Sequence, residues 1–262
     1  MSSVVDQIER NPYRVDGDEV DSQTEWKYSV DGEEIGIKVS VVIPARNEAL
    51  NLPIVAANLP RGLHEVIVVD GHSVDDTLAV AATCHPRVKV VSQAGRGKGD
   101  ALNCGFRAAT GDVIVMLDAD GSMDGGEIVR YVDALAAGAD FVKGSRVLLG
   151  GGSEDLTALR RFGNAALRTF VNTLYGTNHS DLCYGFMAFW TKHRETLYVS
   201  CDGFEVETHL VIRAARAGLK TIEVPSFERN RIYGASNLNV VRDGLRVMST
   251  VVGNRYGPGV PR

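Results

Sequence analysis

Asp118-Ala119-Asp120-Gly121-Ser122 is the stretch whose residue types point most directly at chemistry. It follows the apolar run Asp112–Leu117 (DVIVML), and in an extended segment residues 118 and 120 face the same way. Two carboxylates gathered away from water repel each other unless a cation neutralises them. Oxygen donors alone fit Mg²⁺ or Mn²⁺, which take few protein ligands and share the rest of their shell with substrate phosphates. Asp118, Asp120 and Ser122 are therefore the candidate metal residues. A turn acid followed by a helix cap is the plain structural reading of the same five residues.

Three further loops carry polar groups at comparable places. Pro44-Ala45-Arg46-Asn47-Glu48 follows Lys38–Ile43 (KVSVVI). Proline cannot continue a central ladder, so the chain is expected to turn there, with Asn47 and Glu48 opening a helix. Free N–H groups at that helix start either are capped or meet an anion or a base edge. Asp70-Gly71-His72-Ser73 follows His64–Val69 (HEVIVV). The Asp70 carboxylate either accepts from a nucleobase or ribose or holds an Asx-type turn with Ser73, and Asp75 is a candidate N-cap. Gly95-Arg96-Gly97-Lys98-Gly99-Asp100 follows Arg87–Val91 (RVKVV). Asp100 stands where a dinucleotide fingerprint needs glycine, and no Lys-Ser/Thr pair completes a Walker A loop. What remains is a glycine loop with Arg96 and Lys98 at a helix start, suited to phosphate or ribose, or merely exposed to solvent.

These loops need elements to hold them. The four β-branched runs alternate with helical patterns over roughly Glu48–Leu59, Asp75–Thr83, Gly99–Ala109 and Gly126–Ala137. Continuously apolar strands are covered on both faces, and this alternation predicts βαβ units in an α/β fold with a mostly parallel sheet flanked by helices. Ligands of such sheets sit beyond the carboxyl ends of the strands, where all four loops fall. After Phe141–Lys143 the rhythm breaks. A glycine-rich loop (144–152), a basic helical stretch Leu156–Leu174, a short apolar segment Tyr184–Trp190, a helix near Glu205–Ala217, a strand Leu219–Val224 stopped by Pro225, and a helix from about Asn237 follow. Residues 1–36 read as an acidic N-terminal extension, with order expected only near Glu25–Lys38. Residues 37–252 read as one domain and 253–262 as a tail.

Composition narrows the class. The chain has 262 residues, a net charge of −5 and four scattered cysteines without a C-x-x-C pair. Neither a disulfide framework nor a zinc site is indicated. No stretch reaches the roughly 18 uncharged apolar residues of a membrane span, and the N-terminus lacks signal-peptide character. The cytoplasm, including its membrane face, is the expected compartment. Residues 39–141 hold 13 acidic and 8 basic side chains, whereas residues 142–262 hold 10 and 16. A metal site opposite an anion site is one reading of that split, and ordinary surface scatter is the other. No basic run is interleaved with aromatics, so nucleic acid is not an expected partner.

Taken in order, SVVIPARNE, VIVVDGHSVDDT, GKGDALNCG and VIVMLDADGS resemble the donor half of family 2 glycosyltransferases with the GT-A fold. GSRVLLGGG, LRRFGN, SDLCYGFMAF, FEVETHL and EVPSFERNRIYGASN resemble the branch that transfers sugars to dolichyl or polyprenyl phosphate. The resemblance spans roughly residues 38–250. It implies an inverting transferase using Mg²⁺ or Mn²⁺, a nucleotide-sugar donor carrying GDP or UDP, and a phosphate-bearing acceptor, a polyprenyl phosphate or another phosphate monoester. By this resemblance Pro44, Ala45, Asn47 or Glu48, and Asp70 surround the base and ribose, and Gly97, Lys98 and Gly99 line the same pocket. Asp118, Asp120 and Ser122 hold the ion. Ser145, Arg146, Arg161 and Asn164 form the acceptor phosphate site, with Arg160 a rival to Arg161. Arg231 closes over the phosphates, and Asp181 lies near the sugar or the nucleophile.

A phosphate monoester acceptor is already anionic near neutral pH and needs no strong base. A hydroxyl acceptor needs one, and Asp181 is then the candidate. A sugar-phosphate nucleotidyltransferase is disfavoured because PARNE stands where its glycine-rich loop is expected. A dehydrogenase is disfavoured by the failed fingerprint. A non-catalytic nucleotide-sugar binder is the remaining alternative. Apolar positions Leu238, Val241, Leu245, Met248 and Val252 repeat at helical spacing beside Arg242 and Arg246, a stripe suited to core packing or to peripheral membrane contact.

Overall fold

The computed structural model describes residues 26–30, 33–234 and 240–256. Most of the acidic extension, the tail beyond 256 and the expected helix start at Asn237 lie outside the described residues. Eleven strands are described. The hairpin is β1 (Trp26–Val30) and β2 (Glu33–Ile37). The first alternating units are β3 (Val39–Ala45), α1 (Leu52–Ala57), β4 (Glu65–Asp70), α2 (Thr77–Ala81), β5 (Val88–Ser92), α3 (Gly97–Ala108) and β6 (Val113–Met116). Then come α4 (Ile128–Ala136), β7 (Phe141–Ser145), β8 (Gly152–Ser153), α5 (Ala158–Tyr175) and β9 (Met187–Trp190). The chain continues through α6 (Val206–Arg216), β10 (Thr221–Pro225), β11 (Phe227–Glu228) and α7 (Val240–Tyr256).

Seven strands form the central sheet in the order β10-β7-β9-β6-β3-β4-β5. All neighbours are parallel except β9, which runs antiparallel to both β6 and β7. Alternation along β3 shows how the sheet is buried. Val39, Val41 and Ile43 join the apolar cluster with α1, α4 and the β1–β2 hairpin. Val42 joins the opposite cluster with α3, α6 and α7. A sheet covered on both faces explains why its strands read as unbroken apolar runs.

Several expectations are corrected by this arrangement. Pro44 does not end its strand: β3 continues to Ala45 and pairs Pro44 with Val69 of β4. On its other side the pairing to β6 stops at Val42, so the missing proline N–H falls where no ladder bond is required. Pro225 likewise lies within β10, an edge strand, where proline is tolerated. The helix expected from Glu48 starts at Leu52, because residues 46–51 are taken up by a loop. The expected order near Glu25–Lys38 is met by β1 and β2, which pack Tyr28 and Ile37 into the core, with Tyr28 Oη donating to Asp133 Oδ1 at 2.9 Å. In α7 the buried line is Val247 and Val251, while Met248 and Val252 of the anticipated stripe are partly exposed. Leu238 lies outside the described residues.

Candidate functional site

The carboxyl ends of β3, β4 and β6, with α3, open onto a cleft of about 890 Å³. Pro44, Ala45, Asn47, Glu48, Gly97, Lys98, Asp118, Asp120 and Arg231 line it, as do Arg46, Asn51, Asp202, Phe204 and Tyr233, which sequence reasoning did not single out. A smaller cavity of about 430 Å³ shares Arg46, Gly71, Gln93 and Gly97 with it and adds His72 and Arg96.

The D-x-D segment is a turn beyond β6 rather than an extended strand. Its two carboxylates still reach the same cleft. Ser122 donates its backbone N–H (3.0 Å) and its hydroxyl (2.7 Å) to Asp120 Oδ1. Ser122 is buried and does not line the cleft, so it orients Asp120. Asp120 Oδ2 accepts no hydrogen bond among the described residues and lies 3.9 Å from Arg231 Nη1. The turn needs Gly121, with φ +77°, because a Cβ there would sit 2.7 Å from Ile232 Cδ1. That close packing goes with two backbone bonds, Arg229 N to Ser122 O at 2.8 Å and Ile232 N to Asp120 O at 3.3 Å. These contacts stitch the Arg229–Tyr233 segment to the acidic turn and bring Arg231 across the cleft. Arg231 is held there by Glu48 Oε1 and by the Tyr233 carbonyl at 2.7 Å. Asn51 fixes both partners, donating to Glu48 Oε2 (2.6 Å) and to Tyr233 O (3.2 Å) and accepting from Tyr233 N (3.1 Å).

Lys98 reaches the cleft from the first turn of α3. Gly97 and Gly99 let the start of α3 lie against the backbone of Cys201 and Asp202, whose carbonyl oxygens a Cβ at either glycine would overlap. Lys98 N donates to Asp202 O at 2.9 Å. Its Nζ lies 2.6 Å from Asp118 Oδ1 and 2.7 Å from Glu207 Oε1. Burial opposes the Lys98 charge, but the two carboxylates outweigh it and raise the ammonium above the usual lysine range. Burial raises the Asp118 carboxyl; Lys98 opposes the rise, while the neighbouring charges of Asp120 and Glu207 add to it. Glu207 sits in the quoted segment FEVETHL, 109 positions from Lys98, and no local spacing marks it.

The loops after β3 and β4 are bound to each other. Asn47 and His72 both adopt left-handed backbone, at φ 58° and 61°. Asn47 N donates to Ser73 Oγ at 3.0 Å, and Val74 N donates to Asn47 Oδ1 at 2.9 Å. Unusual backbone at two facing loops is held by these reciprocal contacts. Asp70 accepts from His72 N and Ser73 N, both at 3.2 Å, which is the Asx-type turn. It is buried and does not line the cleft. Asp75, expected as an N-cap, accepts from Thr77 N at 3.0 Å at the start of α2.

The six residues expected around the acceptor phosphate or nucleophile are not brought to this cleft. Asp181 is fully buried and takes a bidentate contact from Arg146, at 2.7 Å (Nε) and 3.0 Å (Nη2). Arg146 Nη1 binds Glu228 Oε2 at 3.0 Å, so every nitrogen of its fork is engaged. Burial pushes the Asp181 carboxyl up, but the Arg146 hydrogen bonds and the Lys143 charge prevail and hold it at about 2. Ser145 shares a hydroxyl contact of 2.6 Å with Ser180, and Asn164 Oδ1 accepts from Leu182 N at 3.1 Å. Arg160 pairs with Asp155, and Arg161 is exposed on α5.

With this geometry in hand, comparisons place the chain among known proteins. The profile described as Glycosyl transferase family 2 matches residues 40–196. Glycosyltransferase AglJ of Haloferax volcanii is 32% identical over 216 residues, covering 79% of this chain and 68% of that protein. Polyprenol monophosphomannose synthase of Mycolicibacterium smegmatis is 32% identical over 212 residues, covering 76% and 80%. Among solved structures, glucosyl-3-phosphoglycerate synthase of Mycobacterium tuberculosis, in complex with Mn²⁺, uridine-diphosphate and glucosyl-3-phosphoglycerate, superposes with a TM-score of 0.66. It is 23% identical, and the match covers 85% of this chain and 81% of that one, a likeness of fold.

Proposed function

This chain belongs to glycosyl transferase family 2 and is a glycosyltransferase with the GT-A fold, and we propose that it moves a sugar from a nucleotide-sugar donor to a polyprenyl phosphate by a metal-dependent, inverting displacement. The observation that carries this reading is the pairing of Asp118 and Asp120 in one cleft with Arg231 facing them. The relative named polyprenol monophosphomannose synthase supports the lipid acceptor.

The donor set fits a divalent ion. Asp118 and Asp120 offer hard oxygen atoms, and a cation, the Lys98 ammonium, already lies against Asp118. Asp118 and Asp120 would hold Mg²⁺ or Mn²⁺, with Ser122 fixing the rotamer of Asp120. When bound, the ion supplies charge neutralisation for the departing nucleoside diphosphate. The loops after β3 and β4, with Arg46 and Gln93 at the shared wall of the two cavities, shape the nucleotide end. Arg231, tethered to Glu48, places a planar fork of donors over the phosphate end.

A phosphate monoester attacks with an oxygen that is already ionised near neutral pH, so no general base is needed. This agrees with the condition of Asp181, whose carboxylate is locked to Arg146 and held at about 2. A hydroxyl acceptor would require a free base, which Asp181 does not offer in this arrangement. Contact with a lipid acceptor places the work at a membrane face. Among the described residues no helix is long and apolar enough to cross a membrane.

A melting-temperature panel of GDP- and UDP-sugars with and without Mn²⁺ tests the donor half, since a ligand of the native state raises the midpoint by mass action. Transfer to a short-chain polyprenyl phosphate tests the acceptor half. Asp120→Asn should keep the wild-type melting behaviour and lower transfer roughly 100-fold. Undiminished transfer by that variant, or by the wild type in excess chelator, refutes the metal-dependent reading.

A further inference from the structure

Lys98 and a divalent ion cannot both claim the whole of Asp118. The ammonium lies 2.6 Å from Asp118 Oδ1, and Oδ2 of the same carboxylate faces Gly185, where a Cβ would stand 3.0 Å away and only 3.3 Å from Lys98 Nζ. The second ammonium contact, 2.7 Å, is to Glu207 Oε1 in the first turn of α6. Side-chain exposure is 21% for Lys98, 26% for Asp118 and 8% for Glu207, so these charges act on one another with little screening by water. The ammonium touches both carboxylates at once, and with the Lys98 backbone N–H bound to Asp202 O it can leave Asp118 by rotation of its own stem while keeping Glu207.

Within the linked ion-pair network, four carboxylates (Glu48, Asp118, Asp120, Glu207) are joined to two cations (Lys98, Arg231), an excess of two negative charges, while Arg46, Asp75 and Asp202 line the same cleft outside that network. One divalent ion removes that excess. Three neutral groupings then result: the ion with Asp118 and Asp120, Lys98 with Glu207, and Arg231 with Glu48.

We propose that Lys98 is an internal competitor for the metal carboxylate Asp118, and that Glu207 is a positioning residue that retains the Lys98 ammonium when a divalent ion takes Asp118. This rests on the divalent-ion reading of Asp118 and Asp120. Lys98 sets how tightly the ion is held and keeps Asp118 paired with a cation, and Glu207 makes the exchange possible without a stranded buried charge.

The test is Mn²⁺ binding to the full chain without nucleotide sugar, followed by the electron paramagnetic resonance signal of free Mn²⁺. Lys98→Gln should bind Mn²⁺ at least about tenfold more tightly than the wild type, and Glu207→Gln roughly 10- to 100-fold more weakly. Opposite signs are the signature, since a purely structural role would weaken binding in both variants. Unchanged or weaker binding by Lys98→Gln overturns the proposal while leaving the metal reading intact. Absence of Mn²⁺ binding in the wild type, Lys98→Gln and Asp120→Asn alike overturns both. Should Lys98→Gln fail to fold, the ¹³Cε resonance of Lys98 in the wild type decides. It must move on addition of Mg²⁺ and stay still in Asp118→Asn, and a resonance unmoved at saturating Mg²⁺ in the wild type overturns the proposal.

Discussion

Asp181→Asn separates a buried structural ion pair from a catalytic base. Asn keeps the size of the side chain and removes its charge. In the folded protein the carboxylate faces Arg146 through three contacts, its side-chain Nε and Nη2 and its backbone N–H at 3.2 Å, with Lys143 nearby. Glu223 accepts from the Asp181 N–H, and Glu228 is the other partner of Arg146. Two routes give the magnitude. Lowering the carboxyl from 3.8 to about 2 means that ionised Asp181 contributes about 2 kcal/mol near neutral pH. Removing one partner of a buried pair costs about 3–5 kcal/mol, and Glu228 remains to compensate Arg146, so the lower end applies. A loss of about 2–3 kcal/mol should lower Tm by roughly 5–10 °C. The sign with pH follows from a folded pKa below the unfolded one. The contribution is complete above about pH 4 and disappears as pH falls through about 2, so Asp181→Asn should flatten the wild-type stability profile between those values. Urea denaturation at several pH values measures the stability, and transfer per folded molecule measures catalysis. Wild-type stability combined with lost turnover at an unchanged KM would show that Asp181 is a base and that the reasoning is wrong.

Arg231→Ala should lower transfer roughly 10- to 100-fold, read in steady-state kinetics, while its partly exposed pair with Glu48 costs no more than about 1 kcal/mol in denaturation. Gly185→Ala places a methyl group against Asp118 and Lys98; it should cut Mn²⁺ affinity at least about tenfold in a direct titration, with far-ultraviolet circular dichroism unchanged. Tyr28→Phe removes the hydroxyl bond to Asp133 and should cost about 1 kcal/mol in denaturant unfolding without altering turnover.

The strands β3, β4 and β6 and the helices beside them were legible because these strands, buried on both faces, read as short β-branched runs while each helix is buried on one face; β5, at the sheet edge, is only partly buried. The cleft was legible for a related reason. Its polar groups sit at strand ends, where the chain must break from an apolar run into turn chemistry, and Asp118, Asp120, Asn47, Glu48 and Lys98 all lie at such breaks. The β1–β2 hairpin was obscured because its few apolar residues, Tyr28 and Ile37 among them, are diluted by exposed acids such as Glu34. The direction of β9 had no local signal, since an apolar four-residue run looks the same in either orientation.

What the sequence obscured most was which polar residues face one another. Asp181 and Arg146 are separated by 35 positions, Lys98 and Glu207 by 109, and Arg231 and Glu48 by 183. In each pair one member alone suggests a ligand contact, while the pair suggests a counter-ion. Burial decides between these readings. The Arg146–Asp181 pair is closed off from solvent at 6% and 0% exposure, so substrate cannot reach it without breaking contacts that hold β7 to the 180–184 segment. The Arg231–Glu48 pair is open at 26% and 11% and lines the cleft, so on the proposed function an incoming diphosphate would exchange with Glu48 for the guanidinium at modest cost. Among the arginines of the last third of the chain, Arg146 is closed into a buried fork and Arg231 lines the cleft, so on the proposed function exposure to the cleft, rather than arginine count, marks the one that would meet phosphate. An arginine already closed into a buried fork should contribute mainly to Tm, and one paired at the cleft wall mainly to kcat/KM.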